Sequence, residues 1–307
     1  MSQPKNQHII PQCYLKQFVD AKTPLGHEPY VWIFERDTKI GKKKAPKNIL
    51  AETDFYTLGG NYSIENSLAQ IEGQYSLIFE KKIRNKIPLD PHEHIIFCVF
   101  VAAMLQRTSK QKEHIENQVD QIISWAKQLE MVHSAEPKPS LAWEAAKKDA
   151  HKISVIEMVP KITKILSKMN LAFFCTKNKR VSFITSDSPV YLFNGQMQFQ
   201  QFPPAFGQKH VEVRMPLSPE ISVCFSWINN LRGYLVATED IVHNDNRMVY
   251  GHSHQYFIGN SEKVKWRWFR RLPLDPIFLW SFLKNKIPMW ISMLRNRKYY
   301  DRSRKTK

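Results

Sequence analysis

The chain has 307 residues, 43% hydrophobic and 12% aromatic, enough for a packed core and too apolar for an intrinsically disordered protein. Its net charge is +17; 14 Lys/Arg against 2 Asp/Glu from Lys263 to Lys307 place +12 there, leaving +5 for residues 1–262. The sequence thus divides into a single body, 1–262, and a basic aromatic extension, 263–307, to which any polyanion would be drawn first.

Four scattered cysteines, Cys13, Cys98, Cys175 and Cys224, have no C-x-x-C spacing, and three lie in apolar runs. This argues against a disulfide framework or zinc site and for a reducing, cytoplasmic setting. No apolar run reaches the ~20 residues of a membrane-spanning helix, and the opening residues lack a basic-then-apolar signal pattern.

In chain order, HIIPQCYLKQF and YVWIFERD read as short strands and turns, followed by a lysine-rich loop, GKKKAPKN. LAETDFYTLGG reads as a turn into the first long helix. There Ile64, Leu68, Ile71, Tyr75, Ile78 and Phe79 form one apolar stripe, with Ser63 as its expected N-cap and Lys81, Lys82 and Arg84 at its C-terminal end. Asp90-Pro91 opens a second helix, apolar on all sides over Ile95–Gln106, which is expected to continue into the polar RTSKQKEHIENQVDQIISWAKQLEMV. A third helix is expected over Leu141–Met169, kinked or restarted at Pro160. LAFFC, TKNKR and VSFITSDSPVYLF read as a β-hairpin, and HVEVRMPLSPEISVCFSW as a strand pair bent at Pro216–Pro219. A helix capped by Thr238 and a final strand, QYFIG, complete the body. The expected class is α+β: helices packed on a mostly antiparallel sheet, with long central helices between N- and C-terminal strand regions.

Several polar residues fall where this pattern predicts burial. Glu72 lies between Phe79 and Ile83 at the edge of the stripe, where a carboxylate needs a partner. Arg107, at the end of the buried helix, suits an anion or a structural pair with Glu72 or Asp187. Arg107 and His114 also match the R-x6-H spacing of the HEPN helical ribonucleases, a two-residue match on a solvated helix. In FITSDSPV, Val181, Phe183, Thr185 and Asp187 share one strand face; Asp187 is either a site acid or the cap of an Asx turn, and Ser186 has no local histidine base. Asn246 shares an apolar helix face with Val242 and Val249. His92-x-His94 and His252-x-His254 diverge on a helix, so no metal site is expected, and no GxGxxG or GxxxxGK points to a cofactor.

His8, Pro11, Tyr14, Leu15 and Phe18 form a His-x-x-Pro-x-x-Tyr-Leu-x-x-Phe pattern. It resembles the start of the domain-of-unknown-function 4238 family, and the likeness runs through VWIFERD, ETDFYT, IEG, LQRT, FITSDSPV, MPLSP and Asn246, about residues 6–260. The resemblance implies a shared fold and shared polar positions, not a reaction. It also gathers His8, Glu72, Arg107, Asp187 and Asn246 into one candidate set. As a catalytic site, His8 would be the acid or base, Glu72 or Asp187 its orienting partner and Arg107 an electrophilic clamp, suited to cleavage or transfer at a phosphate without a metal. As architecture, the same set would latch the N-terminal segment onto the helices and sheet, with Tyr14, Leu15 and Phe18 as apolar teeth.

The extension interleaves aromatic and basic residues, with Trp266, Arg267, Trp268, Arg270, Arg271, Trp280 and Trp290 as the expected contacts. Such a mixture stacks on and neutralises RNA or single-stranded DNA. It equally suits an anionic membrane surface, through residues 276–298, or a helix packed on the body. The sequence therefore leaves three readings: a nucleic-acid-directed enzyme of metal-independent nuclease or phosphotransfer type, a non-enzymatic module binding nucleic acid or protein, and a peripheral membrane protein.

Overall fold

The computed structural model describes residues 6–262 apart from 37, 39, 134–137, 178–180 and 196–203. The chain divides into a unit Met1–Trp268 and a unit Phe269–Lys307. The aromatic and basic contacts expected from Trp266 to Trp290 lie outside the described residues.

The protein is α+β. Its strands are β1 (Asn6–His8), β2 (Val31–Glu35), β3 (Lys42–Lys44), β4 (Ala51–Thr53), β5 (Asn170–Thr176), β6 (Thr185–Ser186), β7 (Tyr191–Phe193), β8 (Glu212–Ser218), β9 (Ile221–Ser226), β10 (Gly233–Ala237) and β11 (Tyr256–Gly259). They form a β1-β4 pair, a five-stranded sheet in the order β10-β5-β9-β8-β7 and a four-stranded sheet in the order β3-β2-β11-β6. Among the described residues every strand pairing is antiparallel except β10 with β5.

Among the described residues six α-helices accompany them: α1 (Gln12–Leu15), α2 (Ser63–Ile78), α3 (Pro91–Gln106), α4 (Ser109–His133), α5 (Pro139–Leu166) and α6 (Glu239–His252). The apolar stripe of α2 packs on α3, where the Tyr75 ring stacks on Phe100. At the start of α3 the Asp90 carboxylate accepts from Glu93 N and the Glu93 carboxylate from Asp90 N, a reciprocal cap with Pro91 in the first turn. Phe97, Cys98 and Phe100–Met104 are all buried, as the all-round apolar sequence demanded.

Four expectations are corrected. The N-cap position of α2 is Tyr62, not Ser63, and the Tyr62 side chain makes no cap bond; Asn61, one residue earlier, accepts from Ser63 N through its Oδ1 at 2.8 Å. The α3 helix does not continue into α4: it ends at Gln106, Arg107 leaves helical geometry, and the Thr108 hydroxyl accepts from Gln111 N to start α4. The α5 helix does not restart at Pro160 but continues through it, with Pro160 on the exposed side where water can serve the carbonyl that proline leaves without a donor. The segments around β5 and β6 do not form a hairpin; β5 pairs with β9 and β10, and β6 with β11.

The opening segment is a latch. Tyr14, Leu15 and Phe18 are fully buried, and the Tyr14 hydroxyl donates to Pro216 O at 2.6 Å while the Thr185 hydroxyl lies 2.5 Å away. One side chain of the short α1 thus ties the N-terminus to both larger sheets. Tyr14→Phe would strand the Pro216 carbonyl and the Thr185 hydroxyl inside the core. We expect a loss of about 2 kcal/mol in urea unfolding with an unchanged denaturant slope; a loss within ±0.5 kcal/mol would show that the bridge contributes nothing.

Candidate acid–base site

Strand β1 alternates, with Gln7 facing in and His8 half-exposed. The buried Gln7 amide accepts from Tyr56 N at 2.5 Å and donates to the Thr57 hydroxyl at 3.0 Å, fixing β1 against the chain that leads into α2. Behind β1 sits Arg107, only 1% exposed. Its guanidinium donates in three directions: Nη1 to Glu72 Oε1 at 2.6 Å, Nη2 to the His8 carbonyl at 2.6 Å and Nε to the Tyr56 hydroxyl at 3.3 Å. Tyr56 in turn donates to Arg107 O at 2.8 Å, and its ring lies under the guanidinium. Burial works against the Arg107 charge, but Tyr56 and the Glu72 carboxylate outweigh it, so its pKa is raised.

His8 therefore meets Arg107 through its carbonyl, not its ring. The imidazole Nε2 lies 3.2 Å from the Lys47 carbonyl. A carbonyl only accepts, which assigns the proton to Nε2 and leaves the Nδ1 lone pair available. Burial lowers the His8 pKa; the Lys47 bond and the Glu72 charge oppose it, and Arg107 adds to it. The ring is held neutral near pH 7, in the form a general base requires.

Glu65, which the sequence reading did not single out, lies seven residues before Glu72, two turns earlier on the same face of α2. Its Oε2 is buried without a hydrogen-bond partner among the described residues. Burial raises its pKa, with Arg107 opposing and Glu72 adding to the rise. One carboxylate of the helix is thus pinned by a guanidinium while the other is pushed toward holding its proton. Cys13 borders the same group, its Sγ 3.9 Å from Glu72 O, and burial raises its thiol pKa.

Asp187 and Asn246 have different partners. The Asp187 carboxylate accepts from three backbone N–H groups, His254 at 2.8 Å, Gln255 at 2.6 Å and Tyr256 at 2.8 Å, and so caps the entry to β11 rather than a local turn. Asn246 accepts from Ile184 N at 2.9 Å and donates to Ser182 O at 2.8 Å, clamping α6 to the segment before β6. The structure brings together His8, Glu72 and Arg107, and gives Asp187 and Asn246 separate backbone work. His114 is exposed on α4 and makes no hydrogen bond or ion pair with Arg107.

Two further buried polar groups escaped the sequence reading. His151 on α5 bonds the Gln106 carbonyl through Nε2 at 2.9 Å beside the Phe55 ring, and burial pushes its pKa down to about 4. Arg214 on β8 pairs with Glu212 at 2.7 Å and with Asp245 of α6, whose other oxygen accepts from the Ser222 hydroxyl at 2.9 Å. His151 and Asp245 were signalled as polar residues on otherwise apolar helix faces, whereas Arg214 shares its strand face with Glu212, Pro216 and Ser218 and carried no such signal. Among the described residues, no three His, Cys, Asp or Glu side chains gather as a metal ion would need, and no helix is long and apolar enough to cross a membrane.

Fold and site define an α+β protein whose N-terminal strand is held down by a buried arginine beside two glutamates. The chain belongs to the DUF4238 family, described as a protein of unknown function, whose family model matches residues 6–263. No curated protein and no solved structure matches it.

Proposed function

We propose that the protein acts on RNA or single-stranded DNA through a metal-independent acid–base site of nuclease or phosphotransfer type. One observation carries this reading: the His8 imidazole is held neutral, with its Nε2 proton directed to Lys47 O, beside the Glu72–Arg107 pair. Nδ1 takes the proton of the attacking hydroxyl, and Glu65 is the acid that returns one to the leaving oxygen. Arg107 positions Glu72 and β1 rather than clamping a phosphate, because each of its three nitrogens already donates within the protein and the residue is only 1% exposed. The +12 charge of residues 263–307 supports a polyanionic substrate.

The same spent donors favour a second reading, in which the cluster is only a latch and the extension binds nucleic acid without cleaving it. Labelled single- and double-stranded RNA and DNA, incubated with and without EDTA, separate the two. We expect cleavage that survives EDTA and falls about 10²-fold in His8→Ala, with the fold confirmed by circular dichroism. Binding that weakens steeply with salt, without cleavage and unchanged by the substitution, would leave the latch.

A further inference from the structure

A cavity outside the His8 cluster has an unusual rim. A cavity of about 460 Å³ opens beside the end of α2, lined by Gln17, Phe79, Arg84, Lys86, Cys175 and Glu220, among others. That is the size of a small-molecule pocket. The chain is unusual at this rim. After Ile78 the helix widens into a π-helical turn, Phe79–Ile83, closed by Arg84 N bonding Phe79 O at 2.9 Å. A closing turn follows, with Ile87 N on Lys82 O at 2.9 Å, and Lys86 within that closing turn has φ +57°. Helix endings of this kind favour glycine at the left-handed position, because a Cβ crowds the neighbouring carbonyl. A lysine there accepts backbone strain, and strain of this sort, like π-turns, concentrates at functional sites.

The side chains are set out for an oxyanion. Arg84 is fixed by Nη2, which bonds Gln17 Oε1 at 2.7 Å and Glu80 Oε1 at 2.9 Å. Its Nε and Nη1 have no hydrogen-bond partner among the described residues, and the guanidinium lies 5.4 Å from the centre of the Phe79 ring. The Lys86 ammonium has no carboxylate partner there either, and it lies close enough to Cys175 to oppose the burial that raises the thiol pKa. Two carboxylates stand nearby, and both are engaged: Glu80 by Arg84, and Glu220 by the Ser218 hydroxyl at 3.1 Å. Thr176 and Asn260 add polar lining, while Phe79, Val19 and Ile221 supply apolar wall.

We propose that this cavity binds a small molecule through a carboxylate or phosphate group seated between Arg84 and Lys86. The reading is independent of the His8 site, with which it shares no lining residue.

Lys86→Gly tests it, because strain and binding then move in opposite directions. Without ligand the variant should melt a degree or two above the parent, roughly, since glycine relieves the left-handed residue. Titrated with inorganic phosphate or acetate at constant ionic strength, the full chain should show a saturable rise in melting temperature. Comparison of the two anions tells which oxyanion is recognised. In Lys86→Gly, and separately in Arg84→Gln, the affinity should fall roughly tenfold or more, as expected for loss of one charge-assisted contact. No saturable response of the parent to either anion, or an affinity unchanged in both variants, would overturn the proposal.

Discussion

Arg107→Ala should lower the stability of the protein by about 3–5 kcal/mol, seen as an earlier urea midpoint and a melting temperature lower by roughly 10 °C. The size follows from what the truncation leaves behind. Glu72 Oε1, the His8 carbonyl and the Tyr56 hydroxyl all lose a donor at once, and the side chain removed is 2% exposed. A lysine cannot replace it, because a single ammonium does not reach three acceptors held by a planar fork. Glu72→Gln should cost less, about 2 kcal/mol, since the Glu72 side chain is 23% exposed and water can reach its oxygens. Removing both charges as Arg107→Met with Glu72→Leu should recover part of the loss, because the pair itself adds little beyond not being broken. A cost below 1 kcal/mol for Arg107→Ala would show that water replaces the guanidinium and that β1 is held by other contacts.

Periodicity located Glu72 and Arg107, because a polar residue on an apolar stripe is visible as a break in spacing. It could not say which atoms of His8 would meet the guanidinium. The carbonyl does so and the ring turns outward, since β1 places Gln7 on the inner face. Glu65 carried a signal that went unread, its seven-residue relation to Glu72, and His151 likewise stands four residues before Val155 on a buried helix face. Strand faces were legible and strand partners were not. The β8–β9 pair follows from two apolar runs joined by a short turn, whereas β5 finds a parallel partner in β10, far along the chain, which alternation cannot encode. Asp187 read as a residue ending a strand; that it receives three N–H groups from the start of β11 depends on a pairing the local sequence does not contain. The helix break at Arg107-Thr108 shows the same limit, since the switch from apolar to polar is compatible with a continuous helix leaving the core until the Thr108 cap is seen.

His151 should make the protein acid-sensitive well above the range in which ordinary carboxylates titrate. The imidazole is 4% exposed, and burial together with Lys112 and Lys152 pushes its pKa down to about 4 against the favourable Gln106 carbonyl bond. An unfolded histidine takes up its proton near pH 6.5, so between pH 6.5 and 4 the unfolded chain binds the proton and the folded chain does not. Stability is therefore complete above pH 6.5, falls as the pH drops, and stops falling on this account below about 4. The depth of the fall is on the order of 3 kcal/mol. His8, His94 and His252, whose pKa values burial also lowers, act in the same direction, while the raised Glu65 acts in the opposite one. The variant His151→Gln separates the contributions, because its amide can still donate to Gln106 O but does not titrate. Urea unfolding of both proteins at half-unit steps from pH 7.5 to 4 should show the parent losing about 3 kcal/mol more than the variant. Parallel curves would mean that the His151 ring is protonated in place, with Gln106 O and water bearing the charge, and that the acid sensitivity of the fold lies elsewhere.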